Sequence, residues 1–152
     1  MNNNKRIYIT ESAEETQKMA LDLAKTLKGG EVIALYGNLG GGKTTFTQGL
    51  ALGLGIKRRI ISPTFIIVRT YKLKSKTATK NPKLLYHMDL YRTDSEEDFE
   101  GIGMRDIIKD ENSIKVIEWA EKIKDFLPKK RIDIFFEYIN ENKRRVTVKI
   151  YE

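Results

Sequence analysis

Apolar positions recur at helical spacing early in the chain. Thr16, Met19, Ala20, Leu23, Ala24 and Leu27 fall every three or four residues, which predicts an amphipathic helix. Ser12 is placed to cap its start, with Glu15 three residues on as a capping box requires. Gly29-Gly30 is placed to stop it. "EVIALY" (31–36) then abandons the helical period and runs apolar without a break, the pattern of a strand covered on both faces. Beyond a glycine-rich stretch, Phe46, Leu50 and Leu54 lie one turn apart and predict a second helix ending near Gly53 or Gly55. "FIIVRTYKL" (65–73) and "KLLYHMDLY" (83–91) read as strands flanking a loop rich in lysine and threonine, and "SIKVIEW" (113–119) as a further buried strand. In the last third, Ile132, Ile134, Phe136 and Tyr138 alternate, then Val146, Val148 and Ile150 alternate across the turn "NENK", which predicts an antiparallel hairpin. No repeat or linker divides the chain. The expected fold is α/β: one three-layer domain over residues 1–152, with a mostly parallel central sheet, antiparallel edge strands and a C-terminal hairpin.

Composition narrows this little. The chain has 152 residues, 40% apolar and 32% charged, as a soluble globular domain has. It has no cysteine, so disulfides and thiolate metal sites are excluded. The first thirty residues lack the apolar core of a signal peptide, and runs such as "VIALY" fall far short of the ~18 residues of a membrane span. A cytoplasmic protein without a membrane partner is expected. The net charge of +7 gathers in Lys57-Arg58-Arg59, in the lysines from Lys72 to Lys83, in Lys129-Lys130-Arg131 and in Lys143-Arg144-Arg145. With no aromatic regularly interleaved for base stacking, a solvated lysine-rich surface explains these clusters better than sequence-specific RNA binding. An electrostatic role near RNA stays open.

The candidate chemistry begins where the buried strand ends. Gly37-Asn38-Leu39-Gly40-Gly41-Gly42-Lys43-Thr44 satisfies G-x-x-x-x-G-K-[ST], the P-loop pattern, with an apolar strand before it and an amphipathic helix after it. Wrapping main-chain N–H groups of Asn38 to Thr45 around a phosphate needs dihedrals that glycine permits. A helix opening at Lys43 aims its unpaired N–H groups and positive dipole end at the same phosphate. Lys43 is then expected to bridge β- and γ-phosphate oxygens, Thr44 to ligate Mg²⁺ through its hydroxyl, and Thr45 to offer its N–H to the α-phosphate.

Three further stretches supply the remaining parts. Glu118, directly after the buried "SIKVI" strand, stands where a second magnesium ligand is expected. In "SPTF", Pro63 stiffens the loop holding Thr64; Thr64 is either a sensor of the γ-phosphate or an ordinary turn threonine. "HMDLYR" puts His87 and Asp89 on one strand face and Met88 and Leu90 on the other. Asp89 is a candidate to orient an attacking water or to hold Mg²⁺ through its water shell. His87 reads as a hydrogen-bonded structural residue, and Arg92 as one member of an ion pair with an acid or as a phosphate contact.

Taken in order, "GNLGGGKTT", "SPTF", "HMDLYR" and "VIEWAE" resemble the TsaE (YjeE) family, the P-loop ATPases of bacterial tRNA threonylcarbamoyladenosine synthesis. The likeness runs from about Thr10 to the final hairpin. It implies a slow ATPase that binds ATP or ADP with Mg²⁺ and supports repeated turnover of the TsaD and TsaB proteins, meeting tRNA indirectly through that complex. By motif match it assigns Lys43 the P-loop lysine role, Thr44 and Glu118 the metal, Thr64 the switch, Asp89 the catalytic acid and Trp119 a place beside the nucleotide. It also implies that the segment with Thr10 and Ser12 lies near the adenine. Two positions depart from the family's habit: Asn38 where Asp is common and Gly41 where Ala is common. The loop 74–82 is longer and more basic than usual. The same residues also suit a nucleotide-dependent assembly module with incidental hydrolysis. A small-molecule kinase fits less well, since its lid would carry arginines and "KLKSKTATKNPK" has none.

Overall fold

A computed structural model describes residues 4–38, 40–61, 67–74 and 82–152. Among these, seven strands form one sheet in the order β1-β7-β6-β2-β5-β4-β3. The strands are β1 (Asn4–Thr10), β2 (Val32–Tyr36), β3 (Val68–Lys72), β4 (Leu84–Asp89), β5 (Ser113–Glu118), β6 (Arg131–Tyr138) and β7 (Arg144–Tyr151). The centre is parallel: β2 pairs with both β5 and β6, and β4 pairs with β5. The edges are antiparallel, with β3 on β4, β7 on β6 and β1 on β7. The expected architecture is the one observed.

Two apolar clusters fill the two faces of this sheet, which makes three layers. On one face α1 (Ala13–Ala24) and α2 (Lys43–Gly53) cover Ile33, Leu35, Leu85, Val116 and Ile134. On the other, α3 (Glu96–Gly101), α4 (Met104–Lys109) and a 3-10 helix over Ala120–Phe126 cover Val32, Ala34, Met88 and Ile117. Alternate residues of β2 thus enter different cores, which is why its sequence is apolar throughout. No helix among the described residues is long and apolar enough to cross a membrane.

Helices α1 and α2 approach closely because α2 presents glycine to α1. A Cβ at Gly49 would lie 2.2 Å from the Gln17 carbonyl oxygen, and one at Gly53 would lie 2.6 Å from the Ala24 Cβ. The start of α1 follows the sequence: Ser12 Oγ accepts from the Glu15 N–H at 3.1 Å. The returning bond is shifted, since the Glu15 carboxylate accepts from Glu11 N at 2.6 Å and not from Ser12. The helix ends at Ala24, before the Gly29-Gly30 pair expected to stop it. Thr26 closes it instead, its N–H and hydroxyl both donating to the Leu23 carbonyl at 2.9 and 2.7 Å.

Several elements have no counterpart in the expected set. Strand β1 leaves Ile7 57% and Ile9 50% exposed, so neither side of it carries a buried apolar row to recognise. Helices α3 and α4 span only six residues each, too few to display a helical period. In the hairpin, Tyr138 is exposed although it continues the alternation of Ile132, Ile134 and Phe136.

Candidate functional site

Strand parity decides which side chains meet the start of α2. Leu85 and Val116 belong to the core beneath α1 and α2. Residues two positions on, His87 in β4 and Glu118 in β5, therefore face the same way, as does Asp89 beyond them. Parallel pairing sets Asp89 opposite Glu118 at the C-terminal ends of their strands. Strand β5 lies directly beside β2 and β4 one strand farther out, so the sheet delivers two carboxylates to one side of the glycine-rich turn.

Glycine sets the described part of the turn. Gly40 and Gly42 hold φ of +76° and +108°, values that side-chain-bearing residues rarely adopt. Gly41 N donates to the Asn38 carbonyl at 3.0 Å, and α2 opens at Lys43 immediately after Gly42. Lys43 is buried at 5% exposure. Its Nζ donates to the carbonyls of Gly37 and Asn38 and lies 4.2 Å from the Trp119 ring centroid. Burial lowers its pKa, while the carboxylates of Glu118, Glu121 and Asp89 act in the opposite direction.

Beside it, the Thr44 hydroxyl donates to Glu118 Oε1 at 2.9 Å. The two side chains expected to share a metal are therefore in contact, although 74 residues separate them in sequence. Glu118 is only 2% exposed, and its second oxygen, Oε2, lies 2.5 Å from Nε2 of the fully buried His87. A carboxylate can only accept, so we assign the Nε2–H tautomer to His87. Its Nδ1 is buried and has no hydrogen-bond partner among the described residues. His87 thus acts on Glu118, as a structural histidine would.

Trp119 follows Glu118 with φ +60°, the positive-φ non-glycine residue among those described. Such backbone strain in a non-glycine residue gathers at functional sites. Its ring meets Tyr91 at 5.1 Å between centroids and the Lys43 ammonium.

These groups line a cavity of about 490 Å³. At one end stand Asp89, Tyr91, Glu118 and Trp119, along its floor run residues 40–45, and at the other end lie Ser12, Ala13 and Thr16 with Glu141, Asn142 and Arg144. Thr10 is buried beneath that second end, where its hydroxyl accepts from Thr16 at 2.8 Å. Asn38 contributes its carbonyl to the turn and its surface to a separate cleft with Phe136 and Tyr138. Leu39 and Thr64 lie outside the described residues, and Arg92 is exposed at the end of β4.

Arg144 escaped the sequence reading except as part of a basic cluster. Its guanidinium donates to the Gly40 carbonyl from Nε at 3.2 Å and from Nη2 at 3.0 Å. It also stacks on Tyr138, 4.6 Å from the ring centroid. The hairpin turn is thereby tied to the glycine loop 104 residues earlier, a closure that no local pattern announces.

Chemically, the arrangement suits a polyphosphate with a hard cation. The donors are one hydroxyl and one carboxylate, and no group of three or more His, Cys, Asp or Glu placed to hold a metal ion occurs among the described residues. Magnesium typically takes one or two carboxylates and completes its shell with water and phosphate oxygens, so this donor set fits it.

A family model described as "Threonylcarbamoyl adenosine biosynthesis protein TsaE" matches residues 10–146. Proteins named tRNA threonylcarbamoyladenosine biosynthesis protein TsaE are similar along most of their length. The one from Treponema pallidum is 36% identical over 92% of this chain and 97% of its own. That from Bacillus subtilis is 38% identical over 91% and 81%, and that from Aquifex aeolicus 39% identical over 92% of each. The crystal structure of Bacillus subtilis YdiB superposes with a TM-score of 0.74 at 31% identity, covering 100% of this chain and 89% of the other.

Proposed function

The chain belongs to the TsaE family, whose role lies in tRNA threonylcarbamoyladenosine biosynthesis, and on that premise we propose that it is a P-loop ATPase. It binds ATP with Mg²⁺ and hydrolyses it slowly in the cytoplasm, and this cycle supports repeated turnover of a TsaB–TsaD complex that carries the tRNA. The observation that carries the reading is the 2.9 Å bond between Thr44 and Glu118, which joins the start of α2 to the end of β5 beside a buried lysine.

In this account the N–H groups of residues 38–45 cradle the phosphates, with the dipole of α2 behind them. Lys43 exchanges the carbonyls of Gly37 and Asn38 for β- and γ-phosphate oxygens. Thr44 and Glu118 hold magnesium, which when bound neutralises charge developing on the phosphate oxygens. Asp89, in register with Glu118, orients the attacking water. Thr64 senses the γ-phosphate. Ser12, with Thr10 behind it, borders the adenine, and Trp119 shields the lysine.

Lys43→Ala tests this directly. ATP affinity by calorimetry and phosphate release are both expected to fall by at least about a hundredfold, on the scale of losing a charged contact made to the transferring group. Unchanged affinity together with unchanged release would end the reading. An Asp89→Ala protein is expected to keep ATP affinity and lose release.

A further inference from the structure

One long stretch of the chain carries its positive charge with no acidic residue to offset it. Residues 32–88 contain ten Lys and Arg and no Asp or Glu, so against a net charge of +7 the remainder of the chain is net negative. Part of this stretch frames a groove of about 650 Å³ between the segment that follows α2 and the edge strand β3. Its cations are Lys57, Arg58, Lys72 and Lys74, all exposed, and no acidic residue lines it.

Some exposed cations elsewhere on the molecule have acidic neighbours, as Lys18 has Asp22, Arg105 has Glu100 and Arg145 has Glu137. Others such as Lys5, Lys25, Lys129 and Lys130 stand apart from any described carboxylate and line no groove with other cations. No described residue offers a carboxylate to the four groove cations. Arg58 is held over the Tyr71 ring, 5.0 Å from its centroid, and Tyr71 itself is buried. The groove therefore presents clustered, partly pre-oriented positive charge, and its aromatic ring is covered and cannot stack on a base. It lies at the far end of α2 from the glycine loop. Eleven helical residues put about 16 Å between the two sites.

We propose that this groove binds the sugar-phosphate backbone of RNA, without reading sequence. Several unpaired cations in one concavity match a ligand that carries many regularly repeated charges. The family's process, modification of tRNA, brings such a polyanion to the protein. The proposal stands independently of whether the glycine loop hydrolyses ATP.

The test is fluorescence anisotropy of a labelled, unmodified tRNA transcript, titrated with the full chain at several KCl concentrations between about 50 and 200 mM. The comparison is the triple variant Lys57→Gln, Arg58→Gln, Lys72→Gln, checked for folding by thermal melting and for ATP affinity, neither of which should move. The parent is expected to bind with an affinity that falls steeply with salt. The variant should bind at least about tenfold more weakly, with the log–log salt slope shallower by about two to three. Absence of RNA binding by the parent at the lowest salt, or equal binding by parent and variant, overturns the proposal. So does a variant that keeps RNA affinity while losing association with TsaB or TsaD, since the groove would then serve an acidic protein face.

Discussion

Replacing Gly49 by alanine should destabilise the protein, against the ordinary expectation for a helix interior. Helix propensity alone favours the change by about 1 kcal/mol. The new methyl, however, would lie 2.2 Å from the Gln17 carbonyl oxygen and 2.5 Å from the Gln17 Cα. Ordinary contact begins near 3.4 Å, so the overlap exceeds an ångström. The obstacle is backbone of α1, which cannot turn aside as the tip of a side chain can. Overpacking of this kind costs about 1–3 kcal/mol, occasionally more, and a backbone clash belongs at the upper end. The net loss is then about 1–2 kcal/mol, or a fall in Tm of roughly 3–6 °C for a domain of this size. Function should follow, because α1 carries Ser12 and α2 carries Lys43 and Thr44 into one cavity. Separating the helices widens that cavity and weakens nucleotide binding. The assay is far-UV circular dichroism against temperature and urea, with calorimetry for ATP. Gly101→Ala is the control, since a Cβ there meets nothing within 4 Å and the variant should be as stable as the parent or more so. A Gly49→Ala protein melting at or above the parent would refute the close helix contact.

Other outcomes follow from the site. Glu118→Gln keeps the volume and an acceptor for Thr44 but removes the charge, so the Mg²⁺ concentration for half-maximal phosphate release should rise by about tenfold or more. His87→Phe strips Glu118 Oε2 of its partner and leaves a buried acceptor unsatisfied, a cost of about 1–3 kcal/mol. It should lower Tm and raise the Mg²⁺ requirement, and His87→Gln, which can restore a donor near Nε2, should recover both in the same melting and metal titrations. Arg144→Ala frees the Gly40 carbonyl and should weaken ATP binding about fivefold by calorimetry, the equivalent of about 1 kcal/mol for a charged but exposed contact. Tyr36 donates to Asp133 at 3.3 Å, and burial, with the Asp133 charge second, raises its pKa from 10.0 to about 12. Its contribution is therefore complete below pH 10.0 and is lost as pH rises towards 12. Urea melts across that interval should show the parent losing stability faster than Tyr36→Phe.

Legibility in the sequence followed the range of the physics. The P-loop was readable because unusual dihedrals demand glycine at particular positions, and Gly40 and Gly42 do hold left-handed φ. Strand β2 was readable because burial on both faces forces an unbroken apolar run, and β5 because apolar residues dominate its buried length. Strand β1 was not, since it lies at the sheet's edge with polar and apolar residues alike exposed. Lys115 is another case. It is fully buried in β5 with its Nζ donating to the carbonyls of Gly30, Asp110 and Ser113, an arrangement no pattern of apolar residues could express.

The sequence by itself settled the glycine-rich turn, the helix that follows it and the acid at the end of "SIKVIE", because neighbouring residues and backbone sterics determine each of them. It did not decide which of these meet. That required the strand order, which sets β5 beside β2 and β4 beside β5, so that Thr44, His87, Asp89 and Glu118 converge from three separate segments. It likewise required the hairpin to fold back until Arg144 reached Gly40. Such contacts join residues tens of positions apart, and only the assembled sheet with both faces covered makes their partners unique.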